Sequence, residues 1–222
     1  MTRALLVLSA LLFAACSNGP TLRCGAGTHE DDGECVPDET SSPDTGVASA
    51  PDASIANPDA GIAAKRFFVT SALYDGDLKS AGRAADGLTS ADAICQTAAT
   101  AVNLGGTWKS LISAGTEAAI DRIAEVGPWF DLKGVKVFNN KANLASTPLA
   151  ALEVDESANE FVLSPQVWTG SKSGAVPSGA SCSGWTTNAS NIEGTYGAGG
   201  TSWLDAQEHS CNATMHLYCI EQ

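Results

Sequence analysis

The seven cysteines place the strongest constraint on what this chain can fold into. An odd number cannot all pair within one chain, but six can form three disulfides if Cys16 is set apart. No Cys-x-x-Cys pair occurs, and the three histidines show no spacing typical of zinc ligands, so the pattern favours disulfides over a zinc site. The six cysteines in question are Cys24, Cys35, Cys95, Cys182, Cys211 and Cys219.

Residues 1–15 have the composition of a lipoprotein signal peptide. Arg3 is the only charge before a run, 4–15, that is apolar apart from one serine. This run is too short to span a bilayer but suits a signal-peptide core. Phe13-Ala14-Ala15-Cys16 resembles the lipobox of bacterial lipoproteins, although Leu is commoner than Phe at the first position. The resemblance implies that Cys16 becomes an acylated N-terminus, with palmitate among its chains; an ordinary secretory signal is the alternative.

Export across the membrane would decide both where the protein lies and whether its remaining cysteines are oxidised to disulfides. Two or three acyl chains would anchor the protein durably in membrane lipid, where one chain would not. Ser17 follows the lipid site and no aspartate stands beside it, which favours the outer membrane of a bacterial cell envelope. Since the chain would fold outside the reducing cytosol, we expect the other six cysteines to pair.

Composition divides the rest of the chain into three segments. Residues 16–37 hold the lipid site and a short polar loop, which we expect a Cys24–Cys35 bridge to close, worth about 3 kcal/mol in the chain-entropy model. Residues 38–64 contain much Pro, Ala, Ser and Asp and no aromatic residue, so we expect a disordered linker. Residues 65–222 contain all five Trp and all three Tyr and are expected to form the globular domain.

The net charge of −13 lies mostly outside that domain. Residues 17–64 contain nine acidic residues and one basic residue, whereas residues 65–222 contain sixteen acidic and ten basic residues. Neutralising phosphates requires Lys and Arg, so this balance argues against a nucleic-acid partner. The acidity otherwise says little about the ligand of the domain.

Hydrophobic patterns predict an α+β domain with antiparallel sheets and two helices. Apolar residues at helical spacing predict a first helix that begins at Thr89, ends before Gly105 and carries Cys95 on its apolar face. A second, short helix is predicted over 117–123, and 74–87 is predicted to be a loop. Strands are predicted at 66–71, 108–112, 135–138, 161–170 and 214–220. Trp108 and Trp168 lie in strands and are predicted to be core residues.

The C-terminal part resembles a C-type lectin-like domain. Trp168 and Gly170 resemble the Trp-x-Gly strand motif of that fold, and Tyr218-Cys219 resembles its last strand. Four cysteines allow three pairings, and the sequence alone does not choose among them. The resemblance implies a Cys95–Cys219 bridge from the helix to the last strand and a Cys182–Cys211 bridge nested inside it.

A closer resemblance is to the endostatin-like bacterial lipoprotein family, whose domain has no known function. It covers essentially all of 65–222. Surface-exposed relatives bind extracellular-matrix or complement-regulator proteins, so the resemblance implies an extracellular protein or glycan ligand. The resemblance is carried by the segments 67–71 (FFVTS), 91–95 (ADAIC), 105–109 (GGTWK), 167–170 (VWTG) and 182–186 (CSGWT).

No metal or cofactor is expected, because the calcium-binding triplets of sugar-binding C-type lectins are missing. Val176-Pro177-Ser178 has the proline but no flanking carboxylate or amide, and Trp203-Leu204-Asp205 supplies only one of two side-chain ligands. Ca²⁺ takes six to eight oxygens, so calcium-dependent sugar binding is not expected. The zinc and heparin sites of endostatin also find no match.

The sequence favours a binding protein over an enzyme. No G-x-S-x-G, S-x-x-K or H-E-x-x-H motif occurs. His209 and His216 with Asp205 and Glu208 could form an acid–base set, but exposed loop and strand positions are the simpler interpretation. A second carboxylate group is interpreted as a solvated loop face. Its members are Glu153, Asp155, Glu156 and Glu160.

The loop region 171–210 is the predicted contact surface of this binding module. Polar and aromatic loop residues above rigid bridges are typical of binding scaffolds. We therefore predict an adhesin-like module for protein or glycan recognition; an envelope hydrolase and a structural matrix protein are the alternatives. The predicted contacts are Trp185, Asn188, Asn191, Tyr196 and Trp203.

Overall fold

The computed structural model of this protein describes residues 28–31, 34–37 and 64–222. The predicted signal peptide 1–15, Cys16, Cys24 and the linker up to residue 63 lie outside the described residues, as does the side chain of Cys35. Contacts divide the chain into one unit of residues 1–55 and another of residues 56–222. In the first unit, strand β1 (Thr28–Asp31) pairs antiparallel with β2 (Glu34–Pro37).

The second unit is an α+β domain with few helices and several small sheets. Its helices are α1 (Leu78–Gly82), α2 (Gly87–Ala101) and a left-handed turn, α3 (Cys182–Trp185), with three 3-10 turns, Ile120–Arg122, Lys141–Ala145 and Gly200–Ser202. Its strands are β3 (Lys65–Val69), β4 (Trp108–Ser110), β5 (Trp129–Asp131), β6 (Lys136–Phe138), β7 (Val167–Trp168), β8 (Ser171–Lys172), β9 (Val176–Pro177), β10 (Glu193–Gly197), β11 (Gln207–Ser210) and β12 (Tyr218–Glu221).

The largest sheet has five strands in the order β4-β12-β3-β5-β6. The last strand, β12, lies between β4 and β3 and pairs antiparallel with both. Strands β3 and β5 are parallel, and β5 and β6 are antiparallel. The N- and C-terminal strands of the domain are therefore neighbours at the centre of the sheet.

Two smaller sheets carry the C-terminal loops. Strands β11, β10 and β7 form an antiparallel three-stranded sheet, and β8 and β9 form an antiparallel pair. The predicted class, α+β with antiparallel sheets, is confirmed at that level, with β3 and β5 as a parallel pair.

The two faces of the large sheet bury different cores, because side chains alternate along a strand. Phe67 and Val69 face a large cluster that includes Trp129, Trp203 and Tyr218. On the opposite face, Phe68, Trp108 and Cys219 pack against Cys95 and Ala99 of α2. As predicted, Trp108 and Trp168 are core residues. Burial on both faces explains why β3 reads as a continuous apolar run.

Helix α2 begins earlier than predicted. Asp86 is its N-cap: its carboxylate accepts from the backbone N–H of Thr89 at 2.8 Å, and the Thr89 hydroxyl oxygen accepts from the N–H of Asp86 at 3.2 Å. This reciprocal pair is a capping box in which Thr89 is the third helical residue rather than the cap. The predicted start at Thr89 was therefore wrong by two residues, since helix α2 starts at Gly87.

Other predictions differ from the structure in segments of weak periodicity. The predicted loop 74–87 contains α1, which Asp77 caps by accepting from the N–H of Ser80. The predicted helix 117–123 is a single 3-10 turn, Ile120–Arg122. The predicted strand 161–170 keeps regular pairing only at Val167–Trp168. In the part of the chain that the structure describes, no helix is long and apolar enough to cross a membrane.

Candidate functional site

Both disulfides implied for the C-terminal part are present. Cys95 on α2 is bonded to Cys219 on β12, with their Cα atoms 5.4 Å apart. Cys182 is bonded to Cys211, with a Cα–Cα distance of 5.6 Å. All four residues are fully buried. The first bridge thus ties α2 to the last strand, and the second ties Cys182, inside the loop region, to Cys211, which directly follows it.

Three of the five predicted contact residues lie in the core, which corrects that prediction. Trp185 is fully buried, and its indole N–H donates to the carbonyl of Ser113 at 2.8 Å. Tyr196 is 7% exposed and packs in the same cluster as Trp185. Trp203 is 2% exposed, and its indole N–H donates to the carbonyl of Ser146 at 3.0 Å. Tertiary packing satisfies these polar tips, so the rings need no solvent.

The other two predicted contacts are on the surface. Asn188 and Asn191 are exposed in the loop between α3 and β10. The amide of Asn188 donates to the carboxylate of Asp75 at 2.9 Å. The structure therefore separates the predicted set into a buried aromatic group and an exposed amide pair, and does not bring the five side chains together.

A cleft of about 350 Å³ opens elsewhere in the loop region. Its floor is the buried pair Trp203 and Leu204. Five exposed polar side chains from three separate segments surround that floor: Ser146, Thr147, Ser173, Thr201 and Asp205. We call this arrangement the hydroxyl cleft.

The polar side chains of the hydroxyl cleft have no side-chain partner among the described residues. Within residues 64–222, none of its four hydroxyls and neither oxygen of Asp205 has a side-chain hydrogen bond or ion pair. Each hydroxyl can both donate and accept, and a carboxylate only accepts. A concave surface with an aromatic floor and a few polar groups is typical of ligand sites.

The two histidines of the predicted acid–base alternative have different surroundings. His209 is exposed on β11, where its ring lies 6.4 Å from that of Tyr196. His216 is half-buried, and its Nδ1 lies 2.6 Å from the carbonyl oxygen of Thr70. Burial lowers the pKa of His216, although hydrogen bonds to backbone carbonyls oppose that effect. The two rings therefore lie in different environments with different partners.

Three of the four carboxylates between Glu153 and Glu160 have the following separate partners. Asp155 accepts from the backbone N–H of Ser157 and of Asn159, at 2.8 and 2.9 Å, and so closes a turn. Glu156 accepts from the backbone N–H of Ser71 at 2.7 Å, and Glu160 pairs with Lys133 at 2.7 Å. The prediction of a solvated loop face was therefore wrong in part, because Asp155 is buried, Glu153 and Glu156 are half-buried, and only Glu160 is exposed.

The described residues also contain no set of side chains that could bind a metal ion. No three His, Cys, Asp or Glu side chains lie close enough to hold an ion there. Asp205 lies in the hydroxyl cleft among hydroxyls, which are weak calcium ligands compared with several carboxylates.

No protein-family model matches this chain, and no curated protein is significantly similar to it.

Sequence reasoning missed most of the hydroxyl cleft for a physical reason. Asp205 could be noticed, because it belongs to the Trp203-Leu204-Asp205 triplet. Ser146 and Ser173 are single hydroxyl residues far apart in the sequence, and only tertiary packing brings them together. No local signal distinguishes them from the many other serines of the domain.

Proposed function

We propose that this protein is an envelope-anchored lipoprotein that presents a lectin-like, disulfide-stabilised binding module. Its contact site is the hydroxyl cleft, and it recognises a polar, hydroxyl-rich ligand such as a glycan, or a protein surface, without calcium. The observation that carries the proposal is that five exposed polar side chains, all without internal partners, surround a buried aromatic floor.

The arrangement of the two bridges supports a lectin-like module. The Cys95–Cys219 bridge spans 124 residues and encloses the Cys182–Cys211 bridge, which spans 29. Trp168 and Gly170 stand beside the loop region, and Gly170 has a φ of 55°. A Cβ at Gly170 would lie 2.8 Å from the ring of Trp185, so this position accepts no larger residue without a shift.

The chemistry of the hydroxyl cleft supports binding without a metal. Hydroxyls and a carboxylate can pair directly with sugar hydroxyls or with backbone amides of a partner. Because Trp203 is held by the carbonyl of Ser146, the floor keeps one orientation. A rigid floor lowers the ordering cost that binding must overcome.

A binding screen with the full chain tests this proposal. The panel contains cell-surface glycans and extracellular-matrix proteins, each measured with and without EDTA. We expect a ligand whose binding is insensitive to EDTA, is lost in Ser173→Arg and is retained in Ser190→Arg, an exposed serine outside the cleft. A ligand that is lost with EDTA, or that is retained in Ser173→Arg, would contradict the proposed site.

The proposed anchor is tested separately. Cys16→Ser removes the sulfur that would carry the lipid, so the variant should leave the membrane fraction. The control is the Ser190→Arg variant, which changes an exposed residue and should stay in the membrane fraction. Equal membrane retention of both variants would contradict the proposed lipid anchor, but it would not bear on the proposed role of the hydroxyl cleft.

A further inference from the structure

A second concave surface runs along the C-terminal half of α2. One cavity of about 640 Å³ lies past the end of the helix, and another of about 440 Å³ lies beside it. Glu156 lines both cavities, and the consecutive residues Ala101 and Val102 line one each, so the two cavities are neighbours; we call the pair the α2 trough. Its apolar lining includes Ile94, Ala98, Ala101, Val102, Leu104, Phe130 and Leu132.

The α2 trough exists because the helix ends before the sheet does. Helix α2 covers Phe68 and Trp108 and stops at Ala101. Phe130 of β5 and the following Leu132 extend beyond it and stay half-buried. Small side chains on the flank of α2 leave the groove open.

No charge in the larger cavity needs a partner from a ligand. The guanidinium of Arg66 pairs with Glu221 at 2.8 Å and donates to the carbonyl of Leu104 at 2.6 Å. The ammonium of Lys65 donates to the carbonyl of Gln222. Asp131 accepts from two backbone N–H groups. A ligand group in this cavity must therefore be uncharged and apolar, since burying an unpaired polar group is costly.

The smaller cavity differs from the larger one because a positive charge that is unpaired among the described residues lies at one end of it. Arg83 is exposed there and forms no ion pair with any residue of 64–222. The half-buried Tyr74 lines the same cavity. A guanidinium beside a phenol suits a carboxylate, because Arg binds carboxylates through two parallel hydrogen bonds.

We propose that the α2 trough binds a free medium-chain aliphatic carboxylate, with its carboxylate at Arg83 and its aliphatic chain along α2. From Ile94 to Ala101 the helix rises about 10 Å, and the larger cavity lies beyond that stretch. This site is separate from the hydroxyl cleft and does not depend on it.

The negative charge of Glu156 should oppose the binding of a carboxylate in the α2 trough. Its carboxylate lines both cavities and is held by the N–H and hydroxyl of Ser71. A bound carboxylate therefore experiences repulsion from Glu156 as well as attraction to Arg83. An uncharged ligand with the same chain experiences neither effect.

Calorimetry on the full chain with decanoate and decanol tests the proposal. We expect both to bind the unmodified protein. Arg83→Gln should weaken decanoate about tenfold, the loss typical of a charge-assisted contact, and leave decanol unchanged. Glu156→Gln should tighten decanoate only. Lys172→Gln, an exposed lysine outside the trough, is the charge control and should change neither ligand.

A second pair of variants tests whether the aliphatic chain of the ligand lies along α2. Ala101→Phe fills the trough from an exposed helix position and should abolish binding of both ligands, while Ala101→Ser should retain both. Absence of decanoate binding, or decanoate binding that survives Ala101→Phe, would overturn the proposal. Binding to phosphatidylcholine vesicles without binding to decanoate would overturn it in favour of a membrane surface.

Discussion

The two disulfides of the domain lie in regions that are stabilised by different means. Cys95–Cys219 connects a regular helix to a regular strand, and large side chains such as Phe68 and Trp108 pack around it. Cys182–Cys211 lies in irregular backbone next to glycine: a Cβ at Gly194 would lie 2.7 Å from the sulfur of Cys182. We call these the helix–sheet region and the loop-bridge region.

The difference shows what each region requires of its sequence. The helix–sheet region needs apolar residues at helical and strand spacing, and many residues of the right size satisfy that requirement. The loop-bridge region needs particular backbone conformations. Four consecutive residues, Cys182–Trp185, have φ between 47° and 73°, and three of them are not glycine. Such residues persist only when their surroundings hold them in place.

Removing the bridges gives the largest expected contrast. In the chain-entropy model, Cys95→Ala/Cys219→Ala costs about 5 kcal/mol of unfolding free energy, and Cys182→Ala/Cys211→Ala costs about 3.5 kcal/mol. Urea unfolding of the two double variants measures this difference. If the loop-bridge pair proves the more costly, local packing outweighs loop length, and the comparison must be reversed.

A single methyl group tests the close packing of the loop-bridge region. Gly194→Ala places a Cβ against the sulfur of Cys182 and the ring of Trp168, so we expect a loss of about 2 kcal/mol from overpacking. Gly134→Ala is the control: no atom lies within 4 Å, and only its φ of 86° opposes the change, at about 1 kcal/mol. Thermal unfolding compares them, and equal losses would contradict the close packing.

Relief of backbone strain should give a smaller effect of opposite sign. Ser183 is exposed and has a φ of 55°, which glycine adopts without penalty. We expect Ser183→Gly to raise the unfolding free energy by roughly 0.5–1 kcal/mol. Ser190→Gly, at another exposed serine of the same loop region, should not stabilise. A destabilised Ser183→Gly variant would show that the left-handed turn is wrongly assigned.

The smallest expected effect is a pH dependence of the helix–sheet region. Burial raises the pKa of Glu221, but hydrogen bonds and the positive charge from Arg66 outweigh it and hold that pKa below its ordinary value. The stabilisation from this pair is therefore complete above the unfolded-state pKa of about 4.3 and is lost as the pH falls through the folded-state pKa. Glu221→Gln should be less stable than the unmodified protein at pH 7.

Acid should remove that difference. Unfolding free energies of the two proteins should converge as the pH falls through the lowered folded-state pKa of Glu221, because below it Glu221 is protonated in both states. A difference that stays constant across this range would show that the variant acts through packing and not through charge.

The sequence predicts the helix–sheet region better than the loop-bridge region. Strand β3, helix α2 and the burial of Cys95 follow from apolar periodicity, which directly reflects which side of an element faces the core. The start of α2 was missed because Thr89 and Asp86 are both good capping residues, and only the backbone geometry separates them. Helix α1 is too short to show a period.

The residues of the candidate site were harder to predict, because the exposure of a side chain depends on tertiary contacts. Trp185 and Trp203 lie among Gly, Ser and Asn, a composition typical of surface loops, yet both rings are buried by partners distant in sequence. The hydroxyl cleft combines Ser146, Ser173 and Asp205 from three segments. No periodic pattern in the sequence indicates that these three residues lie close together in the fold.

Disulfide mapping tests the central claim, that two nested bridges lock this domain. Peptides of the purified, non-reduced full chain are separated and identified by mass spectrometry before and after reduction. We expect one linked pair that contains Cys95 and Cys219 and another that contains Cys182 and Cys211. A linked pair of Cys95 with Cys182 or Cys211, or free thiols at these four positions, would contradict the account.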